Sequence, residues 1–116
     1  MLLDSDRNRI RHMIEAVGQA LEYAGDRTRA DLEKDIPFQH LLVRNLEILG
    51  EAASRVSPEL RAAHPEIPWA RITSMRNRLV HAYFDLDLDT LWSTVQHALP
   101  TLLAQLKAVE RDQGAT

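Results

Sequence analysis

Cysteine is absent from this chain of 116 residues. Its absence excludes a disulfide scaffold and thiolate metal sites, and it fits a reducing cytosol. Glycine and proline are scarce, at four and five residues. With alanine and leucine dominant, that composition favours helix. No apolar run approaches the ~20 residues needed to span a membrane. The segment Met1-Leu2-Leu3-Asp4-Ser5-Asp6-Arg7 turns charged almost at once and has no apolar signal-peptide region, so the expected location is cytoplasmic. Positive charge is not in excess either: the formal net charge is −3. A protein holding nucleic acid over a broad surface is ordinarily basic. Any contact with RNA must therefore run through a local positive cleft. Glycine-rich phosphate loops, strand-like alternation, internal repeats and low-complexity segments are all missing.

What is present is 45% apolar and 27% charged residues, enough for the core of one domain covering residues 1–116. Four helical segments stand out. The first runs from about Asp4 to Ala24, with Ile10, Met13, Ile14, Val17, Leu21 and Ala24 on one stripe. Asp4 or Ser5 is placed to cap it, and Gly25 to end it. A polar stretch with a short helix from Thr28 comes next. The second long helix starts near Pro37, and its stripe is Phe38, Leu42, Leu49, Ala52, Ala53 and Val56. Asn45 falls inside that stripe, as a hydrogen-bonded core group or part of a site wall. Mid-helix Gly50 points to a close helix contact. A short turn over Pro58–Ala63 and a rigid loop at His64-Pro65-Glu66-Ile67-Pro68 lead to a third helix opening at Pro68-Trp69. The fourth carries Leu88, Leu91, Val95, Leu99, Leu102, Leu106 and Val109, flanked by Trp92, Ala98 and Leu103, and is expected to kink at Pro100. The tail from Arg111 to Thr116 is expected to fray. The predicted architecture is an all-α antiparallel bundle of four to five helices.

The third helix holds the chemistry, in Arg76-Asn77-Arg78-Leu79-Val80-His81-Ala82-Tyr83. At ~100° per residue, Arg76 and Tyr83 lie nearly one above the other, and Asn77 and His81 share a neighbouring face. Met75 and Leu79 form an apolar pair toward the bundle. On spacing alone, an ordinary packed helix also fits: Arg76 pairs with Glu47 or Glu51, His81 sits near a helix end, and Tyr83 is half-buried. The chemical reading is that His81 moves protons near neutrality, Arg76 offers a fork matched to phosphate, and Asn77 orients either. Such a set suits RNA cleavage without a metal, the 2′-hydroxyl attacking its own phosphate while Arg76 stabilises the developing charge. One chain supplies one histidine of this kind, and a two-fold dimer would bring two copies into one cleft. Arg71 and Arg78 extend a positive rim for RNA or are simply solvated.

His12, His40, His64 and His97 are scattered without zinc-site spacing, so no metal is assigned. Asp85, Asp87 and Asp89 lack the glycine and distal glutamate of a calcium loop, and one of the last two is expected to cap the fourth helix. Trp69 and Trp92 are core or dimer contacts. No cofactor is implied.

The segments Arg44-Asn45-Leu46-Glu47-Ile48-Leu49-Gly50-Glu51-Ala52-Ala53, Ile67-Pro68-Trp69, Met75 to Phe84 and Leu99-Pro100 resemble the HEPN superfamily of helical domains, in its HepT-like branch. The family motif is an arginine, four residues, a histidine, one residue and a tyrosine, matched by Arg76, His81 and Tyr83, with Asn77 of the expected polar type. The resemblance implies a homodimeric, metal-independent ribonuclease toxin of a toxin–antitoxin module, cutting RNA in a cleft built from both copies of Arg76 and His81. It further implies an MntA-like nucleotidyltransferase partner that transfers AMP from ATP to Tyr83 and so silences the toxin. Two other readings stay open: a non-catalytic helical partner of a nucleotidyltransferase, and a purely structural dimer.

Overall fold

The computed structural model describes residues 4–79 and 86–114. Almost all of them are helical, and no strand occurs among them. The first helix, α1 (Asp4–Ala24), buries the expected face, with Ile10, Met13, Val17, Ala20 and Ala24 inside. It ends where Gly25 turns to a φ of 43°, a left-handed conformation that a side chain makes costly. Asp4 and Ser5, expected as its cap, are both within the helix. Asp6 is instead the residue that ties this end down. Its buried carboxylate accepts from the Ser57 amide at 2.9 Å and from the Ser57 hydroxyl at 2.6 Å.

Caps set the next three elements. Helix α2 (Arg29–Lys34) opens on a capping box, the Thr28 hydroxyl accepting from the Asp31 amide and the Asp31 carboxylate from the Thr28 amide. Helix α3 (Ile36–Ser54) starts with Asp35 accepting from the Phe38 amide and Pro37 in its first turn. Helix α4 (Pro58–Ala63) starts with the Ser57 hydroxyl accepting from the Leu60 amide. Every stripe residue expected on α3, and Val56 beyond it, is buried. Phe38 meets Trp92 edge-on, with ring centroids 6.4 Å apart, and the Arg27 guanidinium lies 4.4 Å from the Phe38 ring centre. Burying a phenylalanine of this kind contributes about 1.5–3 kcal/mol.

The third helix departs from expectation. It is two pieces, α5 (Trp69–Thr73) and α6 (Met75–Leu79), separated at Ser74. Hydroxyls explain the break. Thr73 Oγ1 donates to the Ala70 carbonyl at 3.1 Å, and Ser74 Oγ approaches the Arg71 carbonyl at 3.4 Å. Side chains that bond to carbonyls a turn back compete with helix continuation.

The last rod comprises α7 (Leu88–Ser93), a π-helical turn (Thr94–Ala98) and α8 (Leu99–Gly114) in unbroken succession. Asp87 caps it, accepting from the Thr90 amide and hydroxyl. Asp85, the first of the three alternating aspartates, lies outside the described residues. The disturbance expected at Pro100 takes the form of the π turn. Proline has no N–H for the carbonyl four residues back and crowds it. A widened turn just before it, closed by the Leu99 amide on the Thr94 carbonyl, relieves both. Arg111 to Gly114, expected to fray, continue α8. With the split third helix and the short α2 and α4, the described residues hold more helical segments than the four or five expected.

Helix α1 packs along α3 and α8, and α3 also supports α5 and α6. The core they share runs from Ile10 through Phe38, Leu49, Ile67 and Leu79 to Leu106 and Val109. No described helix is long and apolar enough to cross a membrane.

Candidate functional site

The motif begins on α6 and extends beyond its last residue, Leu79. Met75 and Leu79, both buried, anchor α6 to the core. Between these anchors, helical geometry sets position 76 on one flank of α6, position 78 on the other, and Asn77 outward. Asn77 is exposed. Arg76 is described through its backbone alone. His81 and Tyr83 lie outside the described residues, as do Val80, Ala82 and Phe84. The chain on either side of them is joined: the Asp87 amide donates to the Leu79 carbonyl at 2.8 Å.

Arg78 is half-buried, and its Nη2 donates to the Arg71 carbonyl at 2.9 Å. It therefore braces α6 against α5 across the Ser74 break. Its Nε is buried and has no hydrogen-bond partner among the described residues. Arg71 itself is exposed. Glu51, one of the two acids considered for Arg76, pairs with Arg55 at 2.8 Å one turn along α3.

Gly50 sets the spacing of the site. A Cβ there would lie 3.1 Å from the Ile72 carbonyl oxygen, so α3 and α5 meet backbone to backbone. Asn45 is buried on the same helix. Its Nδ2 donates to the Leu41 carbonyl at 2.9 Å, while its Oδ1 is buried without a partner among the described residues. The hydrogen-bonded reading of Asn45 thus holds for its amide nitrogen and not for its oxygen. Trp69 belongs to the core, its Nε1 donating to the His64 carbonyl at 3.0 Å. Half-buried Trp92 stacks edge-on against Phe38.

Two grooves flank α5, and one of them also reaches α6. One, of about 410 Å³, lies between α5, α6 and the π turn and is lined by Arg71, Arg78, Thr94, His97 and Gln105. The other, of about 550 Å³, lies toward α1 and α3 and is lined by Arg9, His12, Arg44, Glu47, Gly50 and Thr73. Sequence reasoning treated His12 and His97 as scattered and passed over Arg9. Their signal was positional: Arg9 and His12 are one turn apart beside the buried stripe of α1. That becomes a shared wall only once α3 is docked.

Residues 13–109 match the HepT-like family, described as ribonuclease HepT-like. The chain is similar to a probable ribonuclease HepT of Thermococcus cleftensis, with 34% identity over 102 residues, covering 84% of this chain and 93% of that protein. It is also similar to a putative RNase of Caldanaerobacter subterraneus subsp. tengcongensis, with 33% identity over 103 residues, 85% of this chain and 92% of that one. A Methanocaldococcus jannaschii protein named gamma-glutamylcyclotransferase and putative RNase shares 31% identity over 97 residues, 84% of this chain and 44% of its own length. No solved structure matches.

Proposed function

Because the chain belongs to the HepT-like ribonuclease family, we propose that it is a metal-independent endoribonuclease, the toxin of a toxin–antitoxin module, working as a single domain over residues 1–116. The observation that carries this reading is a family match over residues 13–109 that takes in the whole uninterrupted Arg76-to-Tyr83 motif.

The chemistry is an internal displacement at phosphorus. The ribose 2′-oxygen forms a bond to phosphorus, the bond from phosphorus to the 5′-oxygen breaks, and the products are a 2′,3′-cyclic phosphate and a 5′-hydroxyl. The 2′-hydroxyl proton goes to a base, and the departing 5′-oxygen takes a proton from an acid. His81 is one of these groups, and His81 of a second copy is the other, across the two-fold axis of a homodimer. Arg76 neutralises the charge building on the non-bridging oxygens, and Asn77 orients the phosphate or the imidazole. Arg71 and Arg78 form the rim for RNA. In the rim, Arg78 keeps Nη2 on the Arg71 carbonyl and has its Nε buried, so Nη1 is the nitrogen left for a phosphate.

Regulation acts on the same ground. The Tyr83 phenol oxygen attacks the α-phosphorus of ATP on an MntA-like nucleotidyltransferase, pyrophosphate leaves, and the phenol proton is lost. The resulting phosphodiester sets a negative charge and a nucleotide beside Arg76 and His81, where it competes with RNA. The site of action is the cytoplasm.

The test is RNA cleavage by protein expressed without its neighbour gene, wild type beside His81→Ala, with a metal chelator present. Intact mass first establishes that Tyr83 is unmodified. The expected result is cleavage by the wild type alone. Survival of cleavage in His81→Ala would remove His81 from the mechanism. Absence of cleavage by unmodified dimer on several RNA classes would favour the non-catalytic partner of a nucleotidyltransferase.

A further inference from the structure

The groove between α1 and α3 is outside the motif, and three of its basic side chains have no ion-pair partner among the described residues. Arg9 and His12 stand one turn apart on α1, so helical spacing gives them a common side. Arg44 faces them from α3, and Ile72 and Thr73 of α5 belong to the same lining. Among the described residues, Arg9, His12 and Arg44 form no ion pair and no hydrogen bond. The acids of the groove are otherwise engaged. Glu51 holds Arg55 at 2.8 Å, and Glu47 has a partner of its own. A chain with a formal net charge of −3 thus concentrates free positive charge in a space of about 550 Å³.

The ligand class comes from the lining. Unneutralised arginines facing one another across an open groove suit the repeated charges of a phosphodiester chain. No phenylalanine, tyrosine or tryptophan lines the groove among the described residues, so nothing offers a platform for a stacked base. The groove is close to the motif along the chain: Thr73, in its lining, is followed three residues later by Arg76. We propose that this groove is a binding track for the backbone of single-stranded RNA running to or from the Arg76 site, with Arg9 and Arg44 on successive phosphates and His12 beside them. The track rests on the ribonuclease reading for its substrate and extends it to contacts away from the scissile bond. Because it grips backbone, it carries length preference rather than base preference.

The test uses the full chain. Binding of a fluorescent single-stranded RNA of about 20 nucleotides is followed by anisotropy in the His81→Ala background, with and without Arg9→Gln/Arg44→Gln. The double change should weaken binding about tenfold or more near 0.1 M salt, and lower the slope of log affinity against log salt by about 1.4, two contacts at roughly 0.7 each. Arg9→Lys/Arg44→Lys should keep most of that slope, which separates lost charge from a damaged fold. In catalysis with His81 intact, the glutamine pair should raise KM for long RNA and leave cleavage of a dinucleotide unchanged. Unaltered affinity and slope in the glutamine pair would overturn the track. So would a wild type that binds no RNA. Loss of nucleotidyltransferase binding with RNA affinity intact would overturn it and assign the groove to the protein partner. A shift from dimer to monomer would also overturn it, because the groove would then hold a second copy. If the wild type binds RNA through the groove and cleaves none, the nuclease reading fails while the track stands.

Discussion

Glycine at position 50 and glycine at position 18 are both half-buried and mid-helix, yet alanine should act on them in opposite directions. Replacing a helical glycine by alanine stabilises by about 1 kcal/mol through backbone entropy, if the new methyl has room. At Gly18, in α1, nothing lies within 4 Å of an added Cβ. Gly18→Ala should therefore raise stability by most of that amount, or about 4 °C in Tm for a chain of this size. At Gly50 the methyl meets the Ile72 carbonyl oxygen at 3.1 Å, with Thr73 backbone close behind. The obstacle is backbone, so α5 must move bodily by a few tenths of an ångström. Overpacking of this kind costs about 1–3 kcal/mol, which outweighs the propensity gain and leaves Gly50→Ala net destabilised by about 1 kcal/mol. Parallel urea and thermal melts of the two variants give the comparison directly. Because α5 leads into α6, Gly50→Ala should also lower RNA cleavage more than its Tm predicts, and Gly18→Ala should leave cleavage unchanged. If Gly50→Ala stabilised the protein as much as Gly18→Ala, the backbone contact between α3 and α5 would be wrong.

Asp6→Ala removes a buried carboxylate that accepts two hydrogen bonds from Ser57, and should cost about 2–3 kcal/mol, read as a lower urea midpoint at unchanged m-value. Asp87→Ala removes the cap of α7 and should cost about 1–2 kcal/mol. Asp87→Asn, which keeps an acceptor for the Thr90 amide, should recover much of that loss in the same melts. Phe38→Ala vacates a fully buried site beside Trp92 and should cost about 3–5 kcal/mol, with a change in tryptophan fluorescence that Leu32→Ala does not reproduce.

The long helices were legible because apolar spacing and end-marking residues agreed along them. Ile10 to Ala24, Phe38 to Ala53 and Leu91 to Val109 repeat at helical spacing, and Gly25, Pro37 and Asp87 mark a stop and two starts where they were expected. What stayed hidden depends on relations between elements. The break at Ser74 is decided by two hydroxyls and by Arg78 reaching back to the Arg71 carbonyl, which periodicity does not weigh. Pro100 was visible as a disturbance, but a π turn and a kink satisfy the same missing donor. Asp6 reads as an ordinary polar residue at a helix start until Ser57, 51 positions away, comes alongside. The same holds for the site. Arg76, His81 and Tyr83 were legible as a pattern within one segment, whereas the groove of Arg9, His12 and Arg44 exists only after α1 and α3 have met.

The packing of α1 between α3 and α8 also bears on synthesis. A helix made early is covered by one made late. Ile10, Met13 and Val17 can be partly sheltered once α3 has emerged from the ribosome, but the wall supplied by Leu99, Leu102, Leu106 and Val109 arrives only with α8. Domains fold as units during synthesis, and contacts of long sequence separation close late. A ribosome that stalls before α8 therefore releases a chain with an open apolar face, which is a substrate for proteases. The native cover of α1 is complete only in a polypeptide that includes α8.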